Sequence, residues 1–265
     1  MVKLIALDLD GTLLTPKGEV TQTAKDAITT AREAGIKVVL NTGRPIPEAI
    51  HFSKLAGCDA LLSCLGGAAL VDADKGEVLF RQDISEPSGR KALELCLNRE
   101  IELMIFAGNE ILLDSFSKDS LLKTYPYPVF HENAKLVEDP LSYMNDHGLP
   151  LTKIHADWNP ENYPLKELGA LDGVSLTSSS DHDFEVVAHG VDKGRTLARL
   201  ALLYGIALQD CAAVGDSDND LGMLRIVGTP IAMGNASEHV KEVACRMSAS
   251  NEEEGVAKAI LSCIE

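Results

Sequence analysis

Residues 4–9 are almost wholly apolar between Lys3 and Asp10, and this short run constrains the fold more than any other feature. It lacks the polar alternation of a half-exposed strand. It therefore predicts a strand buried on both faces, the arrangement of a parallel sheet covered by helices. The run closes on DLDGTLL, residues 8–14, so two carboxylates lie where a strand gives way to a turn. Open α/β sheets bind ligands at such strand ends.

The same unit repeats downstream. Ala24, Ala27, Ile28 and Ala31 recur at helical spacing and predict a helix over about 21–34, stopped by Gly35. Residues 36–40 read as a second buried strand, 41–45 as a polar turn, the stretch to about 56 as a helix and 60–64 as another strand. This alternation predicts an α/β sheet with right-handed crossovers. From about residue 83 the rhythm changes: strand-like stretches at 102–106 and 111–113 sit close together, followed by YPYP and a long polar passage. Further strands are expected at 151–156, 174–177 and 184–187, an α+β pattern. After Asp192 the α/β rhythm returns, with a helix to about 204 and a strand at 211–214. The expected organisation is a core of 1–82 and 188–265 interrupted by an α+β insert of 83–187, and 265 residues suffice for such a body plus insert.

Charge narrows the choice of partners. Asp and Glu outnumber Lys and Arg by 40 to 24, a formal charge of −16 that repels nucleic acid and anionic membranes. A phosphorylated ligand meets the same repulsion, so a phosphate site here needs a bound cation and local positive groups. The six cysteines are scattered without a CxxC pair or metal-ligand spacing, which fits free thiols in a reducing compartment. No apolar stretch approaches the ~20 residues that span a bilayer, and the N-terminus reaches charged residues too soon for a signal peptide. The expected location is the cytoplasm.

Four clusters carry chemistry. In the first, Asp8 and Asp10 are spaced to share a hard cation, and a carboxylate can also act as a nucleophile toward phosphorus. Asp8 is the expected nucleophile and Asp10 the acid and base; a plain turn at Asp10 and Gly11 competes with this reading. The second, Thr42, Gly43 and Arg44, follows a buried strand and offers a hydroxyl and N–H groups to an anion, although Thr and Gly are also ordinary capping residues. In the third, Lys193 opens a helix, where it could neutralise phosphate oxygens or simply be solvated. The fourth is GDSDND, residues 215–220. A calcium loop starting at Asp216 fails twice, with Leu221 where glycine is required and Val227 where glutamate is required. A magnesium site with Asp216 as direct ligand fits better, and a helix cap accounts for Asp218. All four clusters are expected to follow strands of one sheet and to converge on one edge, where carboxylates demand a cation and the remaining groups an anion.

In their order these clusters closely resemble the four motifs of the haloacid dehalogenase superfamily, specifically its Cof-type phosphatases with a large α+β cap. The resemblance covers essentially the whole chain. It implies a Rossmann-like core with an inserted cap that selects the substrate, Mg²⁺ as cofactor and a small phosphorylated metabolite as partner. Asp8, Asp10 through its carbonyl, and Asp216 become Mg²⁺ ligands. Asp8, Thr42, Gly43, Lys193 and Asn219 become phosphate contacts, Asp220 supports the metal shell, and Arg44 and Glu185 are candidate substrate contacts. One departure stands at Gly66, where such proteins usually carry Asn. Two rival functions remain at this stage: a sugar phosphomutase, which returns the phosphoryl group to a sugar, and a non-catalytic sensor of a phosphometabolite.

Overall fold

A computed structural model describes every residue except 98, 126, 158, 179–181 and 265. The chain divides into two compact units, Met1–Phe80 with Asp192–Glu265, and Arg81–Val191. The expected boundaries at 83 and 187 both lie inside the second unit.

The first unit is built on a parallel sheet whose strands run, across the sheet, Arg246–Met247, Thr229–Ala232, Cys211–Gly215, Leu4–Leu7 and Lys37–Leu40. Leu4–Leu7 and Cys211–Gly215 are buried at every position, as doubly covered parallel strands should be. Each large aliphatic side chain placed there contributes about 1.5–3 kcal/mol. The helices Gln22–Glu33 and Gly255–Leu261 pack together, and Lys193–Leu203 packs on Leu61–Cys64 and on the short helix Leu221–Leu224. A parallel bridge between Asn41 and Ser63 joins the end of Lys37–Leu40 to Leu61–Cys64. From there the chain forms a three-stranded sheet with Ala69–Asp72 and Glu77–Arg81, a feature the sequence rhythm did not announce.

The second unit is a six-stranded sheet in the order Val174–Thr177, Phe184–Ala188, Leu151–Asp157, Glu102–Ala107, Glu110–Leu113, Ala134–Leu136. Its pairings are antiparallel except the last. Register places Leu103, Ile105, Ile154, Phe184 and Val186 on one face and Met104, Phe106, Lys153, His155 and Glu185 on the other.

This topology corrects one expectation. Asp8, Thr42 and Asp216 follow strands of the parallel sheet, but the strand preceding Lys193, Phe184–Ala188, belongs to the sheet of the second unit. The signal was present in the sequence: a glutamate inside FEVVA marks a strand with a polar face, which a doubly buried parallel strand does not have. Lys193 arrives instead as the first residue of the helix Lys193–Leu203.

Candidate active site

Asp8 is the first residue beyond the strand Leu4–Leu7, and its N–H still donates to the Val214 carbonyl at 3.0 Å, so the sheet fixes its backbone. The chain then turns tightly through Leu9–Leu13, and Gly11 takes φ +80°. Only glycine fits here, for a second reason as well: a Cβ on Gly11 would collide with the Asp216 carboxylate. Thr12 donates its hydroxyl to Asp216 Oδ1 at 2.9 Å, fastening the turn to the loop after Cys211–Gly215.

That loop is organised by Asp220, which is fully buried. Its Oδ2 accepts the N–H groups of Asp216 (2.9 Å) and Ser217 (3.2 Å), half of a capping box with Ser217. Its Oδ1 accepts from Lys193 Nζ at 2.6 Å. With both oxygens engaged, Asp220 shapes the loop and anchors the lysine.

Lys193 is buried, and its ammonium group donates to Asp8 Oδ1 (2.6 Å), Asp220 Oδ1 (2.6 Å) and Asn219 Oδ1 (3.0 Å), three acceptors for three hydrogens. Asp192 caps its helix by accepting from Gly194 N (2.7 Å) and Arg195 N (2.9 Å), and Asn41 Nδ2 donates to the Lys193 carbonyl at 2.9 Å. The lysine is therefore held at its backbone as well as its tip.

Thr42 is buried; its N–H donates to the Ser63 carbonyl at 3.0 Å, and its hydroxyl oxygen accepts from Arg44 N at 3.1 Å. Gly43 beside it is half-buried. The Arg44 side chain turns onto Asp10, with Nε at 2.9 Å from Oδ2 and Nη2 at 2.6 Å from Oδ1. Arg44 was expected as a candidate substrate contact, and its guanidinium here pairs with Asp10. Glu185 lies in the second unit, buried, with Lys153 Nζ at 2.6 Å and His155 Nδ1 at 3.4 Å from its Oε1. Burial alone would raise the Glu185 pKa, but Lys153 and His155 outweigh it and hold the carboxyl down at about 2.

One oxygen of each of Asp8, Asp216 and Asp220 lies within 4.8 Å of the others. Burial, then the charge of Asp220, pushes the Asp8 pKa well above the ordinary carboxylate value despite Lys193, and the same causes raise Asp216 to about 7. Burial disfavours the lysine's charge too, yet Asp220 and Asp8 keep Lys193 firmly protonated. Three carboxylates against one ammonium leave an excess of negative charge in a desolvated place. An all-oxygen donor set with that excess fits a hard divalent cation such as Mg²⁺.

The residues that reading by motif missed are those that support motif residues from a distance. Glu48 accepts from Arg44 Nη1 at 2.8 Å, a pairing signalled only by its i,i+4 spacing. Asn235 donates to the Gly11 carbonyl at 2.9 Å and accepts from Asn251 N at 3.0 Å, with no signal in the sequence.

The chain is similar to known proteins along nearly its whole length. A family model of haloacid dehalogenase-like hydrolases matches residues 5–260. The phosphatase YwpJ of Bacillus subtilis is 29% identical, covering 97% of this chain and 98% of its own length. An HMP-PP phosphatase of Klebsiella pneumoniae is 32% identical over 91% of this chain and 87% of its own length. Among solved structures, a haloacid dehalogenase-like hydrolase from B. subtilis superposes with a TM-score of 0.86 at 27% identity, covering 98% of this chain and 99% of that one.

Proposed function

The chain belongs to the haloacid dehalogenase-like hydrolases and is a phosphomonoesterase; from that premise we propose that it hydrolyses small phosphorylated metabolites through an aspartyl-phosphate on Asp8, with Mg²⁺ bound beside it. The observation that carries the reading is the cluster of Asp8, Asp216 and Asp220 carboxylates around the buried Lys193 ammonium.

In this reading Asp8 attacks phosphorus, the ester P–O bond breaks, and Asp10 delivers a proton to the departing oxygen. Asp10 then takes a proton from the water that cleaves the acyl phosphate, releasing inorganic phosphate and restoring Asp8. Lys193 already donates to Asp8 and neutralises the phosphoryl oxygens that arrive there, and Thr42, Gly43 and Asn219 complete the phosphate contacts. Asp8, the Asp10 carbonyl and Asp216 would hold the metal, and Asp220 fixes the loop that presents Asp216. When bound, Mg²⁺ supplies positive charge that offsets both the carboxylates and the incoming phosphate. By the resemblance the second unit would choose the substrate; its Glu185, a candidate contact, is engaged here with Lys153 and His155.

The test is a panel of sugar phosphates, nucleotides and cofactor phosphates assayed with Mg²⁺ for released inorganic phosphate. Turnover without a bisphosphate activator supports hydrolysis over phosphomutase chemistry. Absence of release from every member would sink the proposal and favour a sensor.

A further inference from the structure

Glu48 is a fully buried carboxylate in the first turn of Ile46–Ala56, and the chemistry above leaves it without a task. We propose that Glu48 is a positioning residue for Asp10, acting through Arg44; this deepens the catalytic reading and rests on it.

Arg44, Glu48 and Phe52 are spaced four apart and share one side of the turn and helix, so they meet as neighbours. Glu48 Oε1 accepts from Arg44 Nη1 at 2.8 Å, and the Arg44 guanidinium carbon stands 5.4 Å from the centre of the Phe52 ring. The arginine backbone is fixed from both directions: its N–H donates to Thr42 Oγ1 at 3.1 Å, and its carbonyl accepts from Leu65 N at 2.9 Å. With Nη1 and the ring face engaged, Nε and Nη2 form a rigid fork, and both prongs meet Asp10.

Asp10 needs such a fork. Its side chain is 54% exposed, whereas that of Arg44 is 6% and that of Glu48 0%. A carboxylate so open to water would sample several rotamers unless something rigid held it. A buried carboxylate is itself costly unless paired, and the pair here is the one that aims the guanidinium. The two bonds occupy two of the roughly four lone-pair sites on Asp10. The remaining sites can hold the proton that passes to the departing oxygen, and their direction is set by the fork. Small misplacements of a proton donor cost rate steeply.

Leaving-group chemistry separates this role from a merely structural one. A departing alkoxide requires a proton, whereas a nitrophenolate leaves without one. The experiment compares kcat/KM, which reports steps up to transfer onto Asp8, for an alkyl phosphate and for p-nitrophenyl phosphate in wild type, Glu48→Gln and Glu48→Ala. The alkyl-to-aryl ratio is expected to fall about tenfold in Glu48→Ala, part of the ~10²–10⁴-fold that general acid catalysis supplies, and less in Glu48→Gln, which keeps an acceptor. Equal losses on both esters, or no loss, overturn the proposal.

If Glu48→Ala does not fold, Glu48→Gln, which keeps the shape, carries the test. The crystal structure of folded Glu48→Ala needs no activity: Asp10 is expected to leave the two-pronged arrangement, and an unmoved Asp10 overturns the proposal. Wild-type protein that hydrolyses neither ester refutes the catalytic reading instead, which the crystallographic result does not depend on.

Discussion

At the scale of single residues, the proposed reaction depends on Asp8 as the nucleophile. Asp8→Asn keeps shape and buried volume but removes the nucleophile, so kcat should fall by about three orders of magnitude or more while the melting temperature moves by only a few degrees. Steady-state turnover near wild type would remove Asp8 from the reaction. Gly11 offers a second test, because alanine there must adopt φ +80° and push against Asp216. Gly11→Ala should cost about 1–3 kcal/mol by denaturant unfolding and weaken Mg²⁺ binding as well. Unchanged binding by titration calorimetry would mean that the turn does not shape the metal ligands. The sequence announced Asp8, Asp10, Thr42, Lys193 and Asp216 because each sits at a recognisable junction of strand or helix with loop. It was silent on Asn235, whose bond to Gly11 spans most of the chain and obeys no period.

At the scale of elements, the doubly buried strands were legible because their burial leaves no polar alternation to confuse the reading. The strand Phe184–Ala188 was located correctly and grouped with the other strands of the insert, but Lys193 comes after it and so does not follow a strand of the parallel sheet as expected. Glu185 of that strand gives a pH test. The folded pKa of about 2 lies below the ordinary 4.5, so ionised Glu185 stabilises the fold above pH 4.5, and that stability is lost as pH falls through about 2. Glu185→Gln should therefore be less stable than wild type at pH 7, with the gap shrinking steadily below pH 4.5. A gap that stays constant down to pH 2.5 in denaturant unfolding would show that Lys153 does not hold the carboxylate ionised. Of the three-stranded sheet, Leu61–Cys64 was expected as a strand, but Ala69–Asp72 and Glu77–Arg81 were not, because they are short and the last is half-exposed, with too few apolar positions to establish a period.

For the whole molecule, the formal charge of −16 makes cation binding a condition of the proposed activity. Mg²⁺ should raise the melting temperature by mass action on the folded state, and Asp216→Ala should abolish that shift while leaving the metal-free protein folded. An equal shift in the variant would place the ion elsewhere. Both units come from one chain, and the residues proposed to act on the phosphate belong to the first, with Lys193 coming just after the chain returns from the second. The most direct test of the account is a crystal structure grown with Mg²⁺ and beryllium fluoride, a mimic of the phosphoryl group. The account predicts the mimic bonded to an Asp8 oxygen, the metal bridging Asp8 and Asp216, and Lys193 and Thr42 within hydrogen-bond distance of the fluorides. An adduct on Asp10, or a metal and anion bound apart from Asp8, would contradict it.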